Sequence, residues 1–386
     1  MLFEGRVFTM KVSVLQENLA YGLHVVSRAV SPRNTLPVLA NVLIATDGGR
    51  LRLSATNLEL GITCWIGAKI TEEGSTTVPA RTFNDLVGTL PNDQVDMDLN
   101  LRTQTLNVHC GTSNTDIKCI DAQEFPPMPV VDIDGGIEVN VSDFKEMIRQ
   151  VVFAASIDDA RPVLTGVLMT VSDGLLTLAS ADGFRLSVRK SDLPSPDVPE
   201  MNVIVPARTL SELARVSGDG DQTVKMVLPP GRGQVVFRLK NIEITSQLIE
   251  GVFPDYAQII PSNYATRTVI STDSFLKACK QAEIFAREGS HIARLNITPG
   301  DELQPGSVEI SAQSEETGSN ENVTDATVEG PAILIAFNVR FLREVLDVIS
   351  TPNVALETTA AAAPGLIRPL GGEDFLHVIM PMHLGN

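Results

Sequence analysis

One pentapeptide occurs twice in the chain. Val78-Pro79-Ala80-Arg81-Thr82 returns 127 residues later as Val205-Pro206-Ala207-Arg208-Thr209, and a degenerate copy, Phe337-Asn338-Val339-Arg340-Phe341, follows after another 132. Each copy reads as the end of a strand, a turn, and a short helix with arginine near its start. Proline fits there because its missing N–H is not needed at a strand terminus or ahead of a helix. A spacing near one third of 386 residues implies three copies of one domain. Other landmarks keep the register. Leu51 to Ala55 (LRLSA) returns as Leu176 to Ser180 (LTLAS) and Val308 to Ala312 (VEISA), and Phe125-Pro126 returns as Phe253-Pro254. Phe144, Ile148, Val151 and Ala155 share their 4, 3, 4 spacing with Phe275, Cys279, Ala282 and Ala286, the period of a helix with one buried face.

The repeats divide the chain into domains 10–133, 134–265 and 266–386, with residues 1–9 as an N-terminal extension and either Met1 or Met10 as the start. Helices are expected at 13–33, 81–90, 142–155, 208–216, 272–287 and 340–349. The first should be capped by the Ser13 hydroxyl, with Gln16 three residues on. Alternating apolar residues mark strands between the helices, with a turn or bulge at Asn57 where the alternation changes phase. The Ala360 to Ala363 tract is too short to stand as a helix and should tip a hairpin. The fold class is α+β.

No apolar run reaches the length of a membrane span, and the N-terminus lacks a secretory pattern, so a cytoplasmic protein is expected. Cys64, Cys110, Cys119 and Cys279 show no C-x-x-C or metal spacing and read as free thiols, although Cys110 and Cys119 could face each other across a hairpin. Phosphate-binding loops, nucleophile elbows and zinc-protease motifs are missing, and Asp158-Asp159 reads as a solvated pair rather than a metal site. Neither catalysis nor a cofactor is expected; a binding protein or scaffold is. A net charge of −17 argues against nucleic acid, yet the six expected helices carry twelve Lys/Arg against nine Asp/Glu. Lys277, Lys280 and Arg287 share one helix side, as do Arg208 with Arg215 and Arg340 with Arg343. The sequence Ala181-Asp-Gly-Phe-Arg-Leu186 and the oily terminus Val378-Ile-Met-Pro-Met382 read either as core strands or as the lining of a peptide groove, in which methionine adapts well.

Asn34-Thr-Leu-Pro-Val-Leu39, Val78-Pro-Ala-Arg81, Ala181-Asp-Gly-Phe-Arg-Leu186, Val203-Ile-Val-Pro206, Gly251-Val-Phe-Pro-Asp-Tyr256 and Val378-Ile-Met-Pro-Met-His-Leu384 together resemble the β subunit of bacterial DNA polymerase III, the sliding-clamp family. The resemblance spans Met10 to Leu384. It implies a DNA clamp fold of three repeated domains, each with two helices packed on antiparallel sheets, and a head-to-tail dimeric ring around duplex DNA. It further implies a non-catalytic processivity factor that tethers the polymerase III α subunit, the clamp loader and other proteins bearing a clamp-binding motif. Carried over by position, the partner-peptide pocket comprises Arg161, Leu164, Ala181, Gly183, Phe184, Arg185, Leu186, Pro254, Ile259, Val378, Ile379, Met380, Pro381, Met382 and Leu384. The DNA-facing set is Arg28, Arg33, Arg81, Arg149, Arg208, Arg215, Lys277, Lys280, Arg340 and Arg343, and the dimer interface falls on Ile284 and Phe285. Phe184 stands where the family often has histidine, Ala181 where it has threonine, and Gln258 and His383 where it has basic residues, which implies a more apolar pocket.

Overall fold

The computed structural model describes residues 10–30, 36–129, 135–218, 222–287, 290–371 and 374–383. Its six α-helices are α1 (Gln16–Val26), α2 (Ala80–Thr89), α3 (Val141–Val151), α4 (Ala207–Val216), α5 (Thr272–Ala286) and α6 (Val339–Leu346). The chain forms two compact units, one of residues 1–141 with 215–248, the other of 142–214 with 249–386.

Among the described residues all strand pairings are antiparallel. The first unit holds a five-stranded sheet in the order Lys69–Glu72, Lys11–Leu15, Gln94–Asn100, Thr105–Cys110, Ser113–Lys118. It also holds an eight-stranded sheet in which Ile242–Gln247, from the middle third of the chain, pairs with Leu60–Gly67 from the first. The second unit holds a twelve-stranded sheet, in which Phe375–Ile379 from the last third pairs with Arg185–Asp192 from the middle. Strands of consecutive repeats thus join in one sheet at both seams, and the three-domain α+β reading holds.

Side-chain caps set the starts of two helices. The Ser271 hydroxyl accepts the Ser274 N–H at the start of α5 (3.4 Å), and the Asn338 side chain accepts the Arg340 N–H at the start of α6 (3.0 Å). On α5 the predicted stripe Phe275, Cys279, Ala282 and Ala286 is fully buried, against Ile310, Val345 and Leu356 of the same core. The Ser13 cap is not formed. Val12 and Val14 alternate with exposed neighbours, so the strand continues to Leu15 and α1 begins at Gln16; the Ser13 hydroxyl donates to Asp96 (2.5 Å). Asn57 does carry the expected break, its Oδ1 accepting the N–H groups of Glu59 (3.0 Å) and Leu60 (2.7 Å). Residues 360–363 tip the hairpin between Asn353–Thr358 and Gly365–Pro369. All four cysteines are free; Cys110 pairs with Ser113 across its turn and not with Cys119. Burial pushes the Cys64 thiol up to about 12, so it is inert at neutral pH. Among the described residues no helix is long and apolar enough to cross a membrane.

Candidate functional site

Strand parity decides which of the pocket residues meet. Arg185 pairs with Ile379, Leu186 with Val378, Ser187 with His377 and Val188 with Leu376. Successive side chains point to opposite faces of the sheet, so these pairs sort into two layers. Leu186, Val188, Leu376 and Val378 join Leu168, Ala179, Ala181, Ile204, Phe253 and Leu366 in one apolar cluster, against which Val163, Leu164, Tyr256 and Ile260 pack. Exposed apolar groups stand around it: Phe184 (59% exposed), Ile259 (41%) and Met380 (39%), with Gly183 and Pro254 also exposed and Pro381 and Met382 half-buried. The Met380 N–H donates to the Phe184 carbonyl (2.9 Å) and the Met382 N–H to the Ala336 carbonyl (2.8 Å), fixing the terminal segment at both ends.

The loop that presents Phe184 is held by Asp182, whose Oδ1 accepts the N–H groups of Phe184 (2.8 Å) and Arg185 (3.1 Å). Gly183 lies at φ +96°, in the region that glycine adopts without strain. The Arg161 guanidinium lies against it, donating to the Asp182 carbonyl (3.0 Å) and to Asp158 (3.1 Å). These bonds, from the Ala160 N–H first and Arg161 second, hold the Asp158 carboxyl below its usual range. Leu384 lies outside the described residues.

Arg185 and Ile379 belong to the other layer. Ile379 is buried in the core around α5 and α6. The Arg185 side chain is 7% exposed; it bonds Asp182 (3.0 Å), Glu344 and the Phe153 carbonyl (2.6 Å), and stacks on Phe341 (4.2 Å to the ring centre). It is therefore a buried tie between its strand and α6, not a cation lining the apolar cluster. Burial raises the Glu344 carboxyl, but the bonds from Arg185 and Arg340 outweigh this and leave it below its usual range. Sequence reasoning missed Glu344, Phe153 and Phe341, since nothing local links them to Arg185. Odd–even parity along 185–189 was the available signal that Arg185 turns away from Leu186.

Beneath Arg185 lies His377, fully buried, with Nδ1 2.6 Å from the Ser187 hydroxyl and its ring 5.3 Å from Phe153. Burial first, and the Arg185 charge second, hold its pKa well below the ordinary 6.5. The folded state thus resists a proton that the unfolded chain accepts, so the stability contribution is complete above pH 6.5 and declines as pH falls below it. Stability should fall by up to about 1.4 kcal/mol per pH unit between pH 7 and 5, seen as a melting temperature that drops more steeply than in His377→Gln. Parallel curves for the two proteins would exclude His377 as the titrating group.

Three of the basic residues occupy the same helix position. Arg81, Arg208 and Arg340 are each the second residue of their helix (α2, α4, α6) and each is exposed. A cation there opposes the helix dipole by about 0.3–1 kcal/mol, which speaks for a role outside helix stability. Arg215 is exposed near the end of α4, and Arg28 is half-buried, 2.8 Å from His24. Several of these cations already have carboxylate partners: Arg81 with Asp85 (3.9 Å), Lys277 with Asp273 (2.6 Å), Lys280 with Asp347 (2.9 Å), Arg340 with Glu344 (2.9 Å) and Arg343 with Glu283 (2.6 Å). Arg149 binds Glu146 and donates to the Asp347 (3.1 Å) and Val348 (2.9 Å) carbonyls, closing the C-terminal end of α6. Arg33 lies outside the described residues. On α5, Ile284 is 58% exposed while Phe285 is partly buried against the core.

Three consecutive stretches match the models of the DNA polymerase III beta subunit: the N-terminal domain at 10–129, the central domain at 138–255 and the C-terminal domain at 257–383. The beta sliding clamp of Synechococcus elongatus is 32% identical over 379 residues, covering 97% of this chain and all of that one. That of Bacillus subtilis is 30% identical over 383 residues, covering 97% and 99%. Among solved structures, the B. subtilis clamp superposes with a TM-score of 0.91 at 28% identity, over 97% of this chain and all of that one. A Pseudomonas aeruginosa clamp bound to griselimycin gives 0.88 at 29% identity with the same coverage. With all three domains matched in order along almost its whole length, the chain belongs to the family of bacterial DNA polymerase III β subunits, the β sliding clamps.

Proposed function

We propose that this chain is a non-catalytic DNA sliding clamp: two copies close head to tail into a ring around duplex DNA and tether the replicative polymerase for processive synthesis. The ordered, full-length match of three domains to the β-subunit models carries this reading. The three domains are 10–133, 134–265 and 266–386. Helix cations, Arg81, Arg208 and Arg340 foremost, meet phosphates without reading sequence, and enclosure rather than affinity supplies processivity. The test is retention: clamp loaded on nicked circular DNA should stay bound through gel filtration and escape once the circle is linearised. Equal loss from both forms would favour a scaffold that never encloses DNA.

Two unused sheet edges support ring closure. Ser113–Lys118 stands at the edge of its sheet. Gly318–Asp325 bonds the strand Gly306–Ser314 on one side and no described strand on the other. By internal register Ser113–Lys118 corresponds to Ile242–Gln247, which pairs with Leu60–Gly67, and Gly318–Asp325 corresponds to that partner strand. The same pairing between two copies sets Thr115 opposite Asn320, beside Ile284 and Phe285.

The apolar cluster and its exposed rim form the groove that receives short motifs of the polymerase α subunit, the clamp loader and other partners. Phe184, Ile259, Met380 and Met382 line it, with Arg161 at its edge. Met382→Asp charges one wall while leaving a half-buried position tolerant of the change. It should give a folded protein of near wild-type melting temperature that binds partner peptides at least tenfold more weakly, since single anchors are worth about 2 kcal/mol or more. Wild-type affinity in a stable variant would remove Met382 from the groove. Early melting would make the segment a core strand.

A further inference from the structure

The groove of the second unit has a counterpart in the first, recognisable by register. Val38, Leu39, Leu43 and Phe125 form a cluster there, with Met128 packed against it. These four match Val163, Leu164, Leu168 and Phe253 of the groove cluster. The Asn57 turn copies the Asp182 turn bond for bond, and the Gln247 N–H donates to the Glu59 carbonyl (2.8 Å) as the Met380 N–H does to Phe184 (2.9 Å). Glu59 therefore stands for Phe184, Gln247 for Met380, and Gly61 for Leu186, the floor residue. A Cβ placed on Gly61 would lie 2.6 Å from the Met128 methyl and 3.3 Å from its sulfur. The methionine side chain thus lies where the floor side chain of the other groove stands. Beside it a cleft of about 660 Å³ is lined by Leu43, Ala45, Phe125, Pro126 and Met128, among others.

We propose that the first unit carries a second, closed copy of the peptide groove, with Met128 as its built-in occupant. This rests on the reading that the second-unit groove binds peptides, and it limits each chain to one docking position. A flexible thioether suits the task, because it fills an irregular space and is displaced at modest cost. Gly61 is the matching half of the device: a Cβ there would meet the Met128 methyl at 2.6 Å and force the thioether to move.

The test titrates the full-length dimer by calorimetry with a soluble hexapeptide carrying leucine and phenylalanine anchors. Wild type should bind one peptide per chain, and Met382→Asp one with at least tenfold lower affinity. Met128→Ala should bind two, the second more weakly because Glu59 and Gln247 edge that groove, and Met128→Ala with Met382→Asp should keep only weak binding. Gly61→Ala, which evicts Met128 while leaving its side chain intact, should likewise expose a second site. One site per chain in both Met128→Ala and Gly61→Ala, with melting temperatures near wild type, would overturn the proposal. A wild-type protein that binds no peptide would instead defeat the reading of the second-unit groove.

Discussion

Replacing Arg185 with methionine is expected to cost about 3–5 kcal/mol of stability in the second unit, although methionine roughly matches the volume of the side chain it replaces. The guanidinium is 7% exposed and holds Asp182 and Glu344, which are 14% and 17% exposed. Removing it takes the guanidinium donor from the Phe153 carbonyl and from two largely buried carboxylates, leaving Glu344 to Arg340 and Asp182 to the Phe184 and Arg185 backbone N–H groups. It also frees the two rings, Phe153 and Phe341, that face its charge. Arg185→Lys keeps the charge but loses the planar fork, and should fall between the two. Urea unfolding followed by fluorescence-independent circular dichroism measures the difference. A loss under about 1 kcal/mol would show that the pair is balanced by its own desolvation.

The second large effect concerns the joint of the proposed ring. Ile284 is 58% exposed, so Ile284→Asp leaves the fold of the second unit intact, whereas Phe285 also serves the core. Burying that carboxylate between two copies should weaken association by about 3–5 kcal/mol, a dissociation constant raised roughly 10²- to 10⁴-fold. Sedimentation equilibrium across a dilution series gives the constant directly. An unchanged dimer would take the Ile284 side chain out of the joint and leave the strand edges to carry it alone.

The repeat made the architecture legible because each third of the chain repeats its own periodicity: the α5 stripe and the helix starts at Ala80, Ala207 and Val339 all fell near their expected positions. What escaped was non-local. Arg149 resembles any exposed helical arginine in sequence, yet it closes the end of α6, nearly 200 residues away. Ser13 and Gln16 satisfy a capping pattern, but the pairing of Lys11–Leu15 with Gln94–Asn100 prolongs the strand instead. The apolar residues of the expected groove came from the family resemblance, while the inward turn of Arg185 and Ile379 needed the strand register to be known. Gly61 gave no sign of its role, since a missing side chain has meaning only beside Met128.

The helix cations that already hold carboxylates bear on how a threaded duplex would move. An exposed pair of the Arg81–Asp85 or Lys277–Asp273 kind is worth only a few tenths of a kcal/mol, below thermal energy. In the proposed ring each cation could therefore pass from its carboxylate to a phosphate and back almost without cost, the carboxylate it leaves taking up a cation as the phosphate releases one. The potential felt along the DNA axis is then shallow, with no deep well at any register of the backbone. Translational friction would stay low in such a ring, while an inner surface of unpaired arginines would trap the duplex at each phosphate it met.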